Sequence, residues 1–419
     1  MGCVGKNLLY ITSQYPNVHG DTAFIATEIK YLSDVFDKII VLSHGDKDSP
    51  CVDVPKNVFV KYFEKKDKHK LLVINILSCI PLLFDVRFWK ELPFLFKKKK
   101  KLSCLKLSAS FLRQALDESK EIEGIIKCND ISIVYTFWYY YSTLACQIAI
   151  KHLGISEDSI SMYTRTHGFD LYEYRNTCQY QPFKIQMDKK INKIFFISKQ
   201  GMEYYKKLFA TKQDNVYILH YLGSKNSLPF VPRNYTDTIE LLSISNLVPV
   251  KRVHLIILSL LECVKLGIKI NWTHIGSGPE AESLISFAEE KLAAQNFVSY
   301  KFLGSKTNEE VMEYYKKSLV DLFVNMSESE GLPVSMMEAM SFGVPVIAPD
   351  VGGIKEIVDK KSGWLLSADL CNQEFVQAVK EWSTFSIEQK RNKSKMAYEK
   401  WREHFNEKNN YNKFMEEFL

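Results

Sequence analysis

The segment Ser327–Gly343 holds the densest group of residues that could bind a ligand, including two carboxylates eight residues apart, Glu330 and Glu338. Pro333 suits the first position of a helix, because its missing N–H is not needed there. Gly343 suits the end of that helix as a left-handed cap. The free amides and the positive helix end would favour an anion, while carboxylates accept hydrogen bonds from hydroxyls such as those of a sugar. The segment therefore predicts a site for an anionic ligand that carries hydroxyl groups.

Simpler interpretations of the two carboxylates remain open. Ser335 and Glu338 have the spacing of a capping box, in which the glutamate only supports the start of a helix. Glu330 would then be a solvated loop acid. However, an acid beside an anion-binding helix start makes a poor phosphate site unless it serves another part of the ligand, which favours the interpretation with sugar hydroxyls.

Polar residues also follow two predicted strands in the first half of the chain. His167 lies between Arg165 and Asp170, directly after a predicted strand, and Gly168 allows a close approach of the backbone. A histidine after a strand is often purely structural, so both interpretations stay open. Gly20 lies in the loop after the first predicted strand.

The second half offers a basic pair and a glycine pattern after its own predicted strands. Lys251 and Arg252 could bind an anion or could form a solvated turn. Gly276, Gly278 and Ala281 have the spacing of a dinucleotide fingerprint, which makes an NAD-dependent oxidoreductase the rival enzyme class. That fingerprint expects an acid about 20 residues further on, and the sequence supplies none at the end of the next predicted strand.

Strands and helices alternate in both halves of the 419-residue chain, a pattern typical of parallel α/β sheets. The stretch 223–238 contains Gly, Pro and Asn without periodicity and predicts a linker. We therefore expect an α/β fold of two Rossmann-like, doubly wound domains that face each other across a cleft. The predicted domains are 1–222 and 239–395, and a C-terminal helix at 396–419 is expected to pack back on the first domain. Ligands bind at the carboxyl ends of the strands in such sheets.

The two carboxylates belong to a longer pattern. After Glu330 the chain continues as Glu338-Ala-Met-Ser-Phe-Gly-Val-Pro-Val-Ile-Ala and then Gly352-Gly353-x-x-Glu356-Ile-Val. This pattern closely resembles the retaining nucleotide-sugar glycosyltransferases of family four, which have the GT-B fold. The resemblance covers nearly the whole chain except roughly 61–125. It implies transfer of a sugar from a nucleotide diphosphate sugar, with a UDP-sugar as the favoured donor, to a glycan hydroxyl in cell-surface polysaccharide biosynthesis.

The resemblance also assigns roles in the second half. In that family the first glutamate contacts the donor sugar and the second holds the nucleotide ribose, which implies these roles for Glu330 and Glu338. Lys251 matches a lysine that grips the donor diphosphate. Asn246 stands where the family has arginine, and Arg252 is a candidate replacement for that missing cation.

The first half matches the family at two further positions. His167 lies in a segment similar to the family's Arg-x-His-Gly-x-Asp, whose histidine approaches the donor sugar near the reacting carbon. Gly20 matches the family's first glycine-containing loop, with one glycine instead of two. The resemblance thus implies the catalytic residues Glu330, His167 and Lys251 and the donor-binding residues Glu338, Asn246, Arg252, Gly331, Leu332, Pro333, Val334, Gly20 and Gly276. The sequence lacks an Asp-x-Asp metal motif, so we expect neither a metal nor a cofactor.

The net charge of +6 is unevenly placed. Between Lys61 and Lys106 there are thirteen Lys or Arg residues and four Asp or Glu residues, which gives this segment a net charge of +9. Five consecutive lysines, 97–101, follow a Trp- and Phe-rich stretch, a combination that predicts contact with an anionic membrane surface. A solvated charge run above a buried helix is the alternative. Nucleic acid is not expected, because the sequence has no recognition motif for it.

The nine cysteines are scattered and include no Cys-x-x-Cys pair, which suits a reducing cytosol. The longest apolar run, 71–84, is too short to span a bilayer. We therefore expect a cytoplasmic protein, peripheral on the inner face of a bacterial cytoplasmic membrane, with a glycan or polyprenyl-diphosphate-linked acceptor. A catalytically degenerate transferase retained as a scaffold remains an alternative, which Asn246 mildly favours.

Overall fold

The described residues of the computed structural model are 6–18, 20–64, 82, 84–156, 158–369 and 371–419. The chain divides into two compact units. The first unit runs to His220 and also includes Tyr411–Leu419, while the second unit is Tyr221–Asn410. Each unit contains its own parallel sheet, as the alternation of strands and helices predicts.

The sheet of the first unit has seven parallel strands. They are β1 (Asn7–Thr12), β2 (Lys38–Ser43), β3 (Val58–Tyr62), β4 (Ile131–Thr136), β5 (Ser161–Thr166), β6 (Lys193–Phe196) and β7 (Tyr217–Leu219). Their order is β3-β2-β1-β4-β5-β6-β7, so the direction of winding reverses between β1 and β4. β1 is buried after its first residue, because a parallel strand is covered on both faces. The sequence-based prediction missed β3, whose residues are partly exposed.

Helices of the first unit cover this sheet. They are α1 (Thr22–Val35), α2 (Val86–Leu95), α3 (Lys101–Asn129), α4 (Tyr141–His152), α5 (Lys184–Asp188) and α6 (Lys199–Leu208). α3 packs on α4 and ends at Asp130, which has the left-handed conformation that Asp tolerates. The predicted basic segment 61–125 includes α2 and most of α3, while residues 65–81 and 83 lie outside the described residues.

The sheet of the second unit has six parallel strands. They are β8 (Thr238–Ile244), β9 (Lys269–Ile275), β10 (Val298–Phe302), β11 (Leu322–Val324), β12 (Val346–Pro349) and β13 (Gly363–Leu366). Their order is β10-β9-β8-β11-β12-β13, and the winding reverses between β8 and β11. The loops after these two strands are therefore the expected ligand position in this unit. The edge strand β13 was not predicted from the sequence.

The described residues of the second half form eight helices in chain order. They are α7 (Val253–Lys265), α8 (Ala281–Leu292), α9 (Asn308–Lys317), α10 (Val334–Ser341), α11 (Ile354–Ile357), α12 (Cys371–Thr384), α13 (Ile387–His404) and α14 (Glu407–Glu416). α9 and α13 begin with capping boxes, in which Thr307 and Ser386 accept hydrogen bonds from the helix backbone. Such caps satisfy amides that the helix itself leaves without partners.

The prediction of one C-terminal helix at 396–419 is wrong, whereas its predicted packing on the first domain is found for the last part of that range. The chain forms α13 and α14 instead, and only Tyr411–Leu419 belongs to the first unit. There Phe414 and Phe418 pack against Phe195, with ring centroids 4.7 and 5.9 Å away. These apolar side chains explain why the end of the described chain joins the first core.

The stretch 223–238, predicted as a linker, is packed on the second unit rather than free of it. The Arg233 guanidinium donates hydrogen bonds to the backbone carbonyls of Val320 and Phe342. The hydroxyls of Tyr235 and Ser394 lie 2.7 Å apart. These contacts tie the stretch to the second unit before β8 begins.

Candidate active site

A carboxylate in the loop after β11 collects three hydrogen bonds on one oxygen. Glu330 Oε1 accepts from Lys251 Nζ and from Ser327 Oγ, each at 2.6 Å, and from Asn325 Nδ2 at 3.2 Å. The Glu330 side chain is 10% exposed and that of Lys251 is 23% exposed. The charge-assisted bond from Lys251 is the strongest kind in this group. A cation and a carboxylate thus lie side by side, shielded but not sealed from solvent.

Lys251 reaches Glu330 from the neighbouring strand. It ends the short 3₁₀ turn Pro249–Lys251 that follows β8, and Arg252 then begins α7 with a left-handed φ of 46°. Because β8 and β11 are adjacent in the sheet and the winding reverses between them, their loops meet at the carboxyl edge. The structure therefore brings together two of the three residues for which the sequence predicted a catalytic role.

The two other residues predicted near the donor diphosphate, Asn246 and Arg252, both lie between β8 and α7 but differ in their surroundings. Arg252 donates through Nε to the Met326 carbonyl at 2.8 Å and through Nη2 to the Ser327 carbonyl at 3.2 Å. Its guanidinium therefore holds the loop that carries Glu330. Asn246 is exposed in the turn after β8.

Two glycines, Gly352 and Gly353, allow the loop after β12 to pack closely against the loop that carries Glu330. A Cβ atom on Gly352 would lie 1.9 Å from the Glu330 carbonyl oxygen, and one on Gly353 would lie 2.5 Å from the Gly331 carbonyl oxygen. The Gly353 N–H donates to that Gly331 carbonyl at 2.9 Å. Gly352 also has a φ of +57°, which favours glycine. The glycine pair therefore supports the backbone that presents Glu330.

Gly276 and Gly278, the glycines of the dinucleotide-like pattern, also allow two backbone segments to approach each other closely. A Cβ atom on Gly276 would lie 1.9 Å from the Ser245 carbonyl oxygen, and one on Gly278 would lie 2.4 Å from the Leu247 carbonyl oxygen. The Leu247 N–H donates to the Ser277 carbonyl at 3.0 Å. This packing of two backbone turns accounts for both glycines without a dinucleotide.

Glu338 lies within α10, apart from the hydrogen bonds that surround Glu330. Its carboxylate accepts from Asn308 Nδ2, at the start of α9. Burial raises the pKa of Glu338 to about 7. Pro333 precedes the first residue of α10 and has an extended backbone, so the prediction that it is the first helical residue is off by one position. Gly343 follows the helix with a φ of +69°, as the sequence predicted. Gly331 and Leu332 lie in the turn that leads into this helix, and Val334 is its first residue.

In the first unit, His167 begins the loop after β5. Its Nε2 lies 3.1 Å from the Phe137 carbonyl oxygen, which can only accept, so Nε2 carries the proton in this contact. Burial and the nearby Arg165 charge lower the pKa of His167 to about 3. The imidazole is therefore neutral at physiological pH, with Nδ1 as an acceptor. Its ring packs against Trp138 at a centroid distance of 4.5 Å.

Asp170 fixes the backbone of this loop. The carboxylate is fully buried and accepts from the backbone N–H groups of His167 at 2.7 Å and Tyr139 at 2.8 Å. The buried Lys184 ammonium donates to the Tyr139 carbonyl, and burial lowers the pKa of Lys184 to about 7. Asp170 is thus a positioning residue for His167.

Arg165 belongs to the core of the first unit. It is fully buried and pairs with Glu28 in α1, with Nη1 and Oε2 2.5 Å apart. The Glu28 carboxylate also accepts from the Tyr10 hydroxyl at 2.6 Å. Arg165 therefore joins β1, α1 and β5, and it acts on His167 through its charge.

Gly20 lies in the loop after β1 with a φ of +77°. A Cβ atom there would meet Gln14 Oε1 at 2.4 Å. The neighbouring Asp21 accepts from the Ser13 hydroxyl at 2.6 Å and from Trp138 Nε1 at 3.2 Å. Asp21 thus connects the loop after β1 to the loop after β4.

A cavity of about 310 Å³ opens at this edge of the first sheet. Its walls are mostly aromatic and apolar, and His44 contributes to them from the end of β2. His44 Nδ1 lies 3.1 Å from the Thr12 carbonyl oxygen, and Nε2 lies 3.0 Å from the buried Glu118 carboxylate of α3. The lining residues are Ile11, Thr12, Ser13, His44, Trp138, Tyr140, Tyr141, Ser142, Phe169 and Asp170.

Several residues that hold the site were missed by sequence reasoning. Asn325 and Ser327 stand directly after β11 in the same loop as Glu330, so their position alone could have suggested a role. Asn308 lies on a different helix, and nothing in the local sequence links it to Glu338. Asp21 directly follows Gly20, so its place beside a predicted site residue was the signal that the sequence offered.

The described part of the chain contains neither a candidate metal site nor a helix that could span a membrane. No cluster of three or more His, Cys, Asp or Glu side chains in that part could hold a metal ion. None of the helices described there is both long enough and apolar enough to cross a membrane.

Residues 224–400 match the family described as glycosyl transferases group 1. The matched range lies within the second unit. It includes Lys251, Glu330 and Glu338, so the contact between the loops after β8 and β11 lies inside the range that is similar to this family.

Relatives of known name align to parts of the chain. The putative colanic acid biosynthesis glycosyltransferase WcaL of Escherichia coli (strain K12) is 25% identical over 228 residues, covering 52% of this chain and 53% of WcaL. The O-antigen biosynthesis glycosyltransferase WbnH of Escherichia coli is 31% identical over 136 residues, covering 32% of this chain and 36% of WbnH. The chain thus spans about half the length of the first relative and less of the second.

Solved structures match the whole fold. The apo lipopolysaccharide outer core galactosyltransferase WaaB has a TM-score of 0.67 at 14% identity, covering 99% of this chain and 100% of WaaB. The Anabaena protein Alr3699/HepE in complex with UDP-glucose has a TM-score of 0.62 at 13% identity, covering 98% of this chain and 99% of that one. At such identities the likeness shows the fold alone, and it confirms the GT-B fold expected from the sequence.

Proposed function

We propose that this chain is a retaining glycosyltransferase that moves a hexose from a nucleotide diphosphate sugar to a hydroxyl of a glycan. The contact between Lys251 and Glu330 carries this proposal. A fixed cation can stabilise a departing diphosphate, and a carboxylate beside it can accept hydrogen bonds from the hydroxyls of the transferred sugar. A UDP-sugar is the favoured donor, which the structure of Alr3699/HepE with UDP-glucose supports by analogy.

The proposed reaction is a displacement on one face of the donor sugar. The bond between the anomeric carbon and the diphosphate oxygen breaks, and the acceptor oxygen forms a bond to that carbon on the same face. The acceptor proton passes to an oxygen of the departing diphosphate. This route needs no protein nucleophile, so the residues act by positioning the reactants and stabilising charge.

The remaining site residues take supporting roles in this proposal. Glu338 would accept hydrogen bonds from the nucleotide ribose, and the amides of the turn before α10 would face the phosphates. His167 would approach the donor sugar as a neutral hydrogen-bonding group. Asn246, Gly20 and Gly276 would lie near the donor, as the family resemblance implies.

The acceptor is proposed to be a polyprenyl-diphosphate-linked glycan in cell-surface polysaccharide biosynthesis. The relatives named for colanic acid and O-antigen biosynthesis support this class. The aromatic cavity beside His44 is the proposed acceptor position, because aromatic walls suit the apolar faces of sugar rings and lipids. A cytoplasmic protein attached to the inner membrane face fits such an acceptor.

A panel of nucleotide sugars tests the donor. The matching donor should raise the melting temperature by mass action, and the purified protein should hydrolyse or transfer its sugar. NMR of the product should show the anomeric configuration of the donor retained, whereas an inverted product would contradict the mechanism. Absence of any donor turnover, with binding intact, would instead favour the degenerate scaffold.

The variant Glu330→Gln tests the site itself. Turnover should fall by more than about tenfold, or about 1.4 kcal/mol of barrier, while the affinity for UDP stays nearly unchanged. Glu328→Gln, two residues earlier on the exposed part of the same loop, is the matched control and should keep full activity. Full transfer activity in Glu330→Gln would show that the donor site is elsewhere.

A further inference from the structure

Two cysteine thiols meet where the loop after β5 approaches the start of α3. Cys104 lies in the first turn of α3, and Cys178 lies in the loop between β5 and α5. Cys104 Sγ is 3.6 Å from the Cys178 carbonyl oxygen. Both side chains pack in one cluster with Leu95 and Tyr180. Because few bonds separate a carbonyl oxygen from the thiol of its own residue, the two sulfurs lie within reach of each other.

Polar contacts beside the thiols hold the two backbone segments together. Lys98 Nζ donates to the Glu173 carboxylate at 2.6 Å. Lys100 Nζ donates to the Thr177 carbonyl oxygen at 2.8 Å. These contacts join the residues just before α3 to the end of the loop that contains Cys178. The two thiols therefore stay close to each other, and a bond between them needs local side-chain rotation rather than a rearrangement of the fold.

The two thiols differ in how easily a dissolved reagent reaches them. Cys104 is fully buried, whereas Cys178 is half-buried. Burial and the neighbouring Cys178 thiol raise the pKa of Cys104. A raised pKa keeps a thiol protonated and unreactive towards reagents in solution. Cys178 is therefore the thiol that a small oxidant meets first, and Cys104 reacts only with a partner that lies beside it in the fold.

We propose that Cys104 and Cys178 form a reversible disulfide when the protein meets hydrogen peroxide. The peroxide transfers one oxygen atom to the Cys178 sulfur, which becomes a sulfenic acid, and the rest of the peroxide leaves as water. The Cys104 sulfur then attacks the Cys178 sulfur. The S–S bond forms, the S–O bond breaks, and the hydroxyl leaves as water with the Cys104 proton. Two thiols are thus oxidised to one disulfide, and one peroxide is reduced to two molecules of water.

The disulfide would fix the far end of the loop that begins with His167. Asp170 holds the start of that loop through backbone N–H groups, whereas its end is held by exchangeable bonds from Lys98 and Lys100. The link would also close a loop of about 75 residues in the unfolded chain, which favours the folded state. The sequence indicated reduced thiols, and a thiol reductant such as dithiothreitol should restore them by exchange. Oxidation thus replaces exchangeable contacts with a covalent anchor.

Oxidation of the folded full chain tests the pairing. The reduced protein is treated with hydrogen peroxide, its remaining thiols are blocked with iodoacetamide, and it is digested without reductant. Mass spectrometry should find two peptides joined through Cys104 and Cys178, which dithiothreitol separates. The exposed Cys51 and Cys128 report whether the oxidant has acted. Their oxidation without the joined peptides would overturn the proposal, as would a disulfide from Cys178 to another cysteine or to a second copy of the chain.

Thermal unfolding before and after oxidation measures the anchor. The melting temperature should rise by more than about 3 °C on oxidation and return after dithiothreitol. The rise should vanish in Cys178→Ser and in Cys104→Ala, and it should remain in the control Cys128→Ser, near the other end of α3. Each oxidised variant is compared with its own reduced form, so a loss of stability from the substitution does not affect the result. An equal rise in Cys178→Ser would contradict the proposal.

Hydrogen exchange locates the effect within the chain. The amides of residues 172–180 should exchange more slowly in the oxidised protein, because local opening of the loop is restricted. The amides of the second unit should exchange as before. Unchanged exchange at 172–180 in protein that contains the joined cysteines would overturn the anchoring of the loop. No sugar donor takes part in these measurements, so failure of this proposal and failure of the transferase proposal are distinguishable.

Discussion

Two loops of the molecule each follow a strand and carry a carboxylate, but they use it differently. Asp170, after β5, is fully buried and accepts hydrogen bonds from backbone N–H groups. Glu330, after β11, is partly exposed and accepts from three side chains, one of them the Lys251 ammonium. An acid bound to backbone builds the loop, whereas an acid bound to a cation can exchange that partner for a ligand. The hydrogen-bond partners, rather than the residue type, distinguish the two.

The same contrast extends to charge near neutral pH. Burial keeps His167 neutral by lowering its pKa to about 3, so the first loop offers a neutral imidazole. The second loop offers an ion pair. A group whose pKa lies so low is a poor proton acceptor at neutral pH, which agrees with a proposed mechanism in which the departing diphosphate takes the acceptor proton.

The largest expected effect comes from removing the cation of the second loop. Lys251→Ala should reduce turnover by at least about hundredfold, or about 2.7 kcal/mol, because charge on the departing diphosphate loses its stabilising partner. Affinity for UDP should fall together with turnover, as isothermal titration calorimetry would measure. Lys251→Arg should keep part of the activity. An Ala variant with wild-type kinetics would place the diphosphate away from this loop.

A variant of the neighbouring Arg252 tests whether this residue holds the loop or binds the diphosphate. Because its guanidinium binds the carbonyls of Met326 and Ser327, Arg252→Ala should loosen the loop and cost about tenfold in turnover, with UDP affinity nearly kept. Asn246→Arg should then give no rescue. Rescue by Asn246→Arg, with lost UDP affinity in Arg252→Ala, would show instead that Arg252 replaces a diphosphate-binding cation.

For the first loop the expected effect is on stability. Asp170→Asn replaces one carboxylate oxygen by a donor that faces the Tyr139 or His167 N–H, and it removes the charge near Lys184. The free energy of unfolding should fall by about 3 kcal/mol, measured by urea denaturation. Glu330→Gln should change it by less than about 1 kcal/mol. Equal destabilisation by the two variants would abolish the distinction between a structural and a ligand-facing carboxylate.

A smaller effect is expected on the pH dependence of the free energy of unfolding, through the carboxylate of Glu338. Burial raises the pKa of Glu338 to about 7, whereas an unfolded glutamate titrates near pH ~4.3. The folded state therefore keeps a proton that the unfolded state loses, and this stabilisation is complete below pH ~4.3 and lost as pH rises through about 7. The free energy of unfolding should fall by about 2 kcal/mol between about pH 5.5 and 7.5.

The variant Glu338→Gln should flatten that pH dependence, because it has no proton to lose. Glu282→Gln, on the exposed side of α8, should leave the dependence as in wild type. Chemical denaturation of all three proteins across this pH range measures the effect. A slope that Glu338→Gln does not change would assign the titration to another group.

The sequence predicted the two α/β domains and the segment around Glu330, because both depend on local pattern. Strand–helix alternation is visible in the order of residues, and Pro333 and Gly343 mark the ends of α10. The sequence predicted a role for Lys251 and for Glu330 separately, but it gave no information about the distance between them. That proximity arises from the reversal of strand order between β8 and β11.

Other features escaped prediction because they depend on packing. The edge strands β3 and β13 are only five and four residues long, too short for a periodic pattern to identify them. Gly352 and Gly353 entered the sequence analysis only through the family resemblance. The structure shows why glycine is needed there: a Cβ atom would collide with the carbonyl oxygens of Glu330 and Gly331. The break between α13 and α14 escaped because both helices are rich in charge, and the periodicity passes from one to the other.

The nine residues Tyr411–Leu419 place Phe414 and Phe418 in the core of the first unit. A ribosome makes the part of the first unit that ends at His220 before it makes the second unit, and it makes these two side chains only afterwards. Until then Tyr135 and Phe195 lack aromatic neighbours that the finished protein supplies. The first unit is therefore completed only after the second unit has been made, and the nascent chain must keep an unfinished apolar surface from aggregating while about 190 further residues are added.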